Sequence, residues 1–400
     1  MTSRAKAGTA GEVLLAFLKL GLTSFGGPIA HLGYFRDEIV VRRRWLDEAE
    51  YADLVALCQF LPGPASSQVG FAIGLRRAGM PGALAAWAGF TLPSAGLLIL
   101  LALGAAALDG PVAQGVLHGL KLVAVAVVAQ AVLGMARSLT PDAQRATIAV
   151  IAVAVTVALA GSLGQVAAIA LGGLAGLIFC RGDGGGVEAP AAAGVSRATG
   201  LVCLVLFLAL LVGLPVVAAA SGNHAIELID AFYRSGALVF GGGHVVLPLL
   251  EAETVASGWL SADTFLAGYG VAQAVPGPLF TFAAYLGAVD MTEPNGIVGG
   301  LLALVAIFVP GFLLLLATLP FWDGLRARPM AQAAMRGANA AVVGILGAAL
   351  YDPVWTSAVA TPLDFVLALA GFVALVAWKA PPWMVVGALA VAGGFLGAGA

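Results

Sequence analysis

The sequence predicts an all-α polytopic membrane protein built from two homologous halves, an inverted-topology repeat with broken or re-entrant helices. Three observations predict it: a composition that no soluble surface sustains, motifs repeated at a constant offset, and basic loops in one copy where the other has acidic ones. Of 400 residues, 61% are hydrophobic and 10% charged, against roughly 45–50% and 25% in soluble domains. Charges this sparse cannot coat the exterior in water, so lipid must solvate most of it. The 54 glycines suit helices that pack through small residues or are deliberately interrupted. The net charge of −2 gives no support for a nucleic-acid partner. Cys58, Cys180 and Cys203 form no CxxC pair and sit in apolar surroundings. They are expected as buried thiols rather than disulfide or zinc ligands, and no cofactor is expected.

In chain order, apolar stretches long enough to cross about 30 Å of hydrocarbon occur near 81–104, 113–136, 199–219, 297–321, 335–350, 360–378 and 382–399. The run from Ile148 to Cys180 is too long for one crossing, and Gly161-Ser162-Leu163-Gly164-Gln165 divides it into two short spans. Four further segments, near 12–35, 52–74, 229–250 and 264–288, are interrupted by Gly-Gly-Pro, Pro-Gly-Pro, Gly-Gly-Gly and Pro-Gly-Pro, and read as broken or re-entrant helices. The first apolar run is broken by Lys19 and lacks a small-residue cleavage pattern, so a removable signal peptide is not expected.

Repetition organises these segments. Phe25-Gly26-Gly27 recurs as Phe240-Gly241-Gly242, Lys19 as Arg234, Trp45-Leu46 as Trp259-Leu260, Gln59 as Gln273, Pro62-Gly63-Pro64 as Pro276-Gly277-Pro278, and Pro93 as Pro310, all at offsets of 214 to 217. The expected organisation is a first repeat over 1–141, linking helices over 142–221, a second repeat over 222–355 and C-terminal helices over 356–400.

Charge orients the halves. Loops around the first pair of broken segments carry Arg36, Arg42, Arg43, Arg44, Arg76 and Arg77; the matching loops carry Glu251, Glu253, Asp263, Asp290 and Glu293. The positive-inside rule therefore points the halves in opposite directions. If each broken segment is a hairpin returning to its starting side, sixteen of the nineteen basic residues fall inside, with the N-terminus; the alternative of thirteen single passes keeps the N-terminus inside but moves Arg36, Arg42, Arg43 and Arg44 outside, which the rule disfavours. Only Lys19, Lys121 and Arg234 remain, all within apolar segments.

Paired discontinuous helices are the layout in which secondary transporters build a midplane site. Helix ends inside the membrane expose unpaired N–H groups and a positive dipole, and glycine lets a ligand approach them. The sequence therefore favours an anion beside Gly26-Gly27 and Gly241-Gly242. Lys19 precedes the first break by two helical turns and Arg234 repeats the placement, with no acid expected beside either. Glycine pairs also serve as packing contacts, Pro-Gly-Pro also simply ends helices, and Lys19 and Arg234 also fit snorkelling to an interface. His31, His118, His224 and His244 are not repeat-equivalent, and Lys121 corresponds to Asn339.

The chain resembles the chromate ion transporter (CHR) family in its two-domain form. The resemblance rests on Leu20-Gly21, Phe25-Gly26-Gly27-Pro28, His31, Gln59, Pro62-Gly63-Pro64, Gln68 and Leu92-Pro93, then Phe240-Gly241-Gly242-Gly243, Pro248, Gln273 and Pro276-Gly277-Pro278. It implies an inner-membrane carrier that exports chromate, with sulfate as a further cargo. The candidate substrate-binding set is these motif residues (Phe25, Gly26, Gly27, Pro28, His31, Gln59, Pro62, Gly63, Pro64, Gln68, Phe240, Gly241, Gly242, Gly243, Gln273, Pro276, Gly277 and Pro278) with Lys19 and Arg234. The expected partners are chromate or sulfate, the lipid bilayer and a second copy as a homodimer. The alternatives are an importer of sulfate or another oxyanion, and an integral membrane enzyme such as a lipid-linked phosphate transferase. The enzyme reading needs acid clusters for metal or an activated nucleophile, and the sequence has no HExxH, no DxxxD within a span, and no Ser or Cys beside a His and an acid.

Overall fold

The computed structural model describes residues 8–25, 27–105, 110–159, 161–180, 195–240, 243–326 and 328–398. Gly26, Gly241 and Gly242 of the candidate set lie outside the described residues. Among those described there is no strand. Five helices are long and apolar enough to cross a membrane, and five shorter apolar helices accompany them, so this is a multi-pass helical membrane protein.

In the first half, α1 (Ala10–Thr23) is capped by Thr9, whose hydroxyl accepts from the Glu12 N–H. It ends at Ser24, and α2 (Gly27–Phe35) restarts beyond the break and runs into a π-helical turn, Arg36–Arg42. A capping box between Asp47 and Glu50 starts α3 (Glu48–Phe60). Pro62-Gly63-Pro64 then stops it, because the prolines supply no N–H and Gly63 adopts φ +118, open to glycine at little cost. Next comes α4 (Ala65–Ala105), sharply kinked where Gly79 takes φ +64, then α5 (Pro111–Leu139), α6 (Ala143–Ala158) and α7 (Ser162–Phe179). The long 148–180 run thus divides where the sequence predicts. A single helix, α8 (Arg197–Ser221), leads to the second half: α9 (His224–Ala237), a 3-10 turn over Gly243–Val245, α10 (Val246–Thr254), α11 (Ala262–Ala272), a 3-10 turn over Leu279–Thr281, α12 (Phe282–Val289) and α13 (Gly296–Thr318). Short α14 (Trp322–Arg326), α15 (Pro329–Ala349), α16 (Thr356–Ala358), α17 (Pro362–Val376) and α18 (Pro382–Ala398) complete the chain.

The four broken segments are hairpins. Arg77, at the far end of the fourth arm, bonds Glu12 at 3.1 Å, and its carbonyl accepts from the Gly8 N–H. Arg76 lies 3.5 Å from Glu50, and the guanidinium groups of Arg43 and Arg77 both lie over Trp45. The starts and ends of both excursions therefore share one face, the basic face. The second half repeats this with opposite charge: His224 bonds Glu227 and Asp290 and meets Trp259 edge-on, while the Met291 N–H donates to the Trp259 carbonyl. Its excursions share the opposite, acidic face.

The halves then exchange partners. Helix α15 of the second half packs against α6 and α7 of the first, and α5 of the first against α17 and α18 of the second. Glycines allow both approaches: Gly337 meets Gly172 and Gly176, and Gly393 meets Gly115 and Gly119, leaving no room for a side chain. Without a hydrophobic drive between helices in lipid, such close backbone packing is what holds spans together.

Two outcomes follow. Gly337→Leu drives a side chain into the Gly172 carbonyl and should cost at least about 1–3 kcal/mol, read as a lower melting temperature in detergent, whereas Gly347→Leu, with nothing within 4 Å, should not. Single cysteines at positions 43 and 78 should react with an impermeant maleimide from one side of the membrane and those at 256 and 291 from the other; finding 43 and 78 on opposite sides would dismantle the hairpins.

Candidate functional site

All four helix breaks meet. The Gly63 N–H donates to the Val239 carbonyl at 2.7 Å, and the Gly277 N–H donates to the Ser24 carbonyl at 2.9 Å. These bonds are repeat-equivalent, so the Pro-Gly-Pro turn of each half is tied to the helix end just before the Phe-Gly-Gly motif of the other. Both glycines sit at positive φ, +118 and +106, which aims their N–H groups across the halves. The two Phe-Gly-Gly breaks also face each other. A Cβ on Gly243 would lie 3.3 Å from Pro28 Cγ, and one on Gly27 would lie 3.8 Å from His244 Nε2. Such a junction is a node of irregular backbone, which a membrane interior tolerates only where it is buried in protein or lines a water-filled cavity.

Each half braces its partner's turn. Gln68 is fully buried, and its amide nitrogen donates to the Pro62 and Gly311 carbonyls at 3.0 and 2.9 Å. It holds the first Pro-Gly-Pro turn, with Pro64 against Gly311, onto α13. The second turn rests on α4, where Ser94 and the Phe90 carbonyl bracket Gly277. His31 is buried with Nδ1 3.4 Å from Ser66 Oγ and its ring edge-on to Phe90. Phe25 and Phe240 are half-buried at the breaks, as are Pro62 and Pro276, while Pro278 is buried. Gln59 is exposed, whereas its counterpart Gln273 is half-buried with its side-chain amide against Tyr269. Ser24 Oγ, Ser67 Oγ, Gln68 Oε1 and Thr91 Oγ1 are buried without a hydrogen-bond partner in the protein. Buried polar groups are normally paired, so this set around the breaks marks a place suited to a polar guest.

The cations require a correction. The sequence reading expects no acid beside Lys19 or Arg234; the structure puts one beside Lys19 and two beside Arg234. Lys19 Nζ lies 2.8 Å from Glu38 Oε2, and Arg234 lies 2.8 Å from Asp230 and 3.0 Å from Glu253. Intramembrane charges are expected to find such partners. Asp230 stands one helical turn before Arg234, a pairing that spacing alone indicates; Glu38 and Glu253 are 215 residues apart, the offset that relates Lys19 to Arg234, but each lies on the return arm of its hairpin, nineteen residues from its cation, where only the repeat points to it. The halves differ in balance. Glu38, at the basic-face end of its arm, accepts from Lys19, Arg42 and Arg43 together. Burial alone would raise its pKa, but these three donors hold it down at about 2. One carboxylate thus serves three cations on the basic face, while Arg234 serves two carboxylates. Lys19 remains half-exposed beside its partner.

His244 is the node residue that sequence reasoning set aside. It pairs with the Tyr269 hydroxyl at 2.8 Å and faces Gly27 from the opposite half. No repeat partner marks it, since the equivalent position is Ile29, and the sequence carried no signal for its placement. No group of three or more potential metal ligands occurs among the described residues.

The geometry has counterparts among known proteins. A family model described as chromate transporter matches this chain twice, over residues 11–177 and 226–395. The chain is 28% identical over 379 residues to the chromate transport protein of Pseudomonas aeruginosa, covering 92% of this chain and 87% of that protein. It is 30% identical over 354 residues to the probable chromate transport protein of Synechococcus elongatus, covering 84% and 82%, and 28% identical over 350 residues to the chromate transport protein of Cupriavidus metallidurans, covering 85% and 81%. No solved structure matches. One family's model thus fits each of two halves whose motif residues converge on a single node, and the chain belongs to the chromate transporter family.

Proposed function

We propose that this chain exports chromate, and sulfate as a second cargo, across an inner membrane through the node between its halves, with the basic face and N-terminus in the cytoplasm. The observation that carries the reading is the reciprocal pair of bonds from Gly63 to Val239 and Gly277 to Ser24, which gathers four helix ends and their unpaired polar groups at one place. Relatives named chromate transport proteins supply the cargo. Backbone N–H groups and helix ends favour an oxyanion there, and Lys19 and Arg234 offset the carboxylates of Glu38, Asp230 and Glu253, which would otherwise repel it. Of the described motif residues, Phe25, Gly27, Pro28, Phe240 and Gly243 line the path in this reading. In this reading the repeat unit extends across the exchanged helix pairs, over 10–179 and 224–398, with α8 as the link.

Electrostatics fits export. The excess of cations around Glu38 attracts a dianion to the basic face, while the acidic loops repel its return. Moving two negative charges outward from an inside-negative cell gains roughly 4.6 kcal/mol per 100 mV, so the potential alone can drive efflux.

Everted membrane vesicles bearing the protein should accumulate radiolabelled chromate when their interior is made positive, and lose that accumulation when the potential is collapsed. Accumulation that requires the reverse polarity would make the protein an importer. Lys19→Gln and Arg234→Gln should weaken chromate binding by about tenfold or more, the scale of a hydrogen bond to a charged partner, with Lys19→Arg retaining most of it. Unchanged affinity in both glutamine variants at matched protein level would leave these cations as anchors only. Gly27→Leu, at a residue with φ +80 facing His244, should lower transport far more than membrane abundance.

A further inference from the structure

Away from the node, on the acidic face, helices α4, α5, α11 and α12 enclose an open cavity of about 790 Å³. The polar side chains lining it are Gln114, His118 and Lys121 from α5, Asp263, Thr264 and Tyr285 from the second half, and Asp290 just beyond α12. The charged groups differ in how firmly they are engaged. His118 Nε2 holds Asp364 at 2.7 Å, where Asp364 is buried and also caps α17. Asp290 is buried against His224 at 2.9 Å. Lys121 is different. Its side chain is 13% exposed and its ammonium lies 3.4 Å from the Ser357 carbonyl, yet its only carboxylate among the described residues, Asp263 at 2.8 Å, is 69% exposed. Water can solvate so exposed a carboxylate once it lets go, and an incoming anion that takes its place keeps the ammonium paired, so the exchange leaves neither charge buried and alone. The ammonium is held at the cavity wall by the Ser357 carbonyl.

The opposite face lacks this arrangement. The repeat places Gln332, Arg336 and Asn339 of α15 where α5 has Gln114, His118 and Lys121. Asn339 replaces the lysine, and Arg336 is bonded to the Cys180 carbonyl. Where Ala267 lines the cavity, the equivalent Asp53 accepts from Trp322 Nε1 at 3.0 Å, and the buried Trp322 packs on Phe60. Indole fills on the basic face the position that is open on the acidic face.

We propose that the cavity around Lys121 is a second site for the divalent oxyanion, a vestibule in which the Lys121 ammonium receives the ion from the node and Asp263 competes with it, so that recapture of Lys121 by Asp263 releases the ion. The inference rests on the oxyanion reading above but not on which face is cytoplasmic.

The test is equilibrium binding of radiolabelled chromate to the purified chain in lipid nanodiscs, where both faces are accessible, alongside transport by the same preparation in proteoliposomes. Wild-type protein should bind two ions per chain. Asp263→Asn should tighten one of the two by about tenfold, Lys121→Gln should abolish that one alone, and Lys121→Arg should keep it. The tightening in Asp263→Asn, a substitution at an exposed carboxylate, keeps the test valid if Lys121→Gln folds poorly. A single site indifferent to Asp263→Asn and Lys121→Arg, with transport intact, would overturn the vestibule and leave the node reading standing. Absence of both binding and transport of chromate would instead remove the oxyanion reading itself.

Discussion

Everything in this molecule hangs on backbone groups that have no helix to satisfy them. A helix interrupted inside a membrane leaves N–H and C=O groups without partners, and water is not there to take them. Here each half answers for the other: a glycine N–H from one Pro-Gly-Pro turn meets the last carbonyl before the partner's Phe-Gly-Gly break, twice, in symmetry. Neither half can fold its turns alone without orphaning them. The exchange of helix pairs, α15 onto α6 and α7 and α5 onto α17 and α18, extends the same dependence to the periphery. The node is therefore an interface as well as a set of loops, and a relative movement of the halves must alter it.

Charge distinguishes two copies that are otherwise matched. The Lys19–Glu38 pair and the Arg234–Glu253 pair are one feature written twice, but Arg42 and Arg43 join the first and Asp230 the second. Likewise Arg76, next to the Arg77 that stacks over Trp45, stands where the second half has Asp290 beside His224 and Trp259. The scaffold keeps the aromatic residue and inverts the charge. That inversion gives the basic and acidic faces different potentials without altering the backbone.

Much of this was legible in the sequence because broken helices announce themselves. Proline and glycine at Pro62-Gly63-Pro64 and Pro276-Gly277-Pro278 have a local physical meaning, and an offset repeated to within a few residues fixes which segments are equivalent. The accumulation of arginines favours hairpins over single crossings, but the choice between them rests on contacts such as Arg77 to Glu12 that only the folded chain displays. Contacts across the repeat were hidden. Nothing local in Gly63 says that its N–H turns toward Val239, and nothing in Gln68 says that it braces α13 through Gly311, since such contacts depend on how two halves dock. Glu38 and Glu253 were readable in principle, through the shared offset, but only once the return arm was known to fold back beside Lys19. His244 at the node and the cavity at Lys121 belong wholly to tertiary structure.

The most direct measurement of the central claim is a disulfide between Pro28→Cys and Gly243→Cys in a chain whose Cys58, Cys180 and Cys203 are replaced. A Cβ on Gly243 falls 3.3 Å from Pro28 Cγ, so mild oxidation should link the two positions within one chain and stop transport, which should return once the bond is reduced. If both thiols react with a small maleimide yet no intramolecular bond forms under oxidation, the breaks do not meet, and the node is not the centre of this protein.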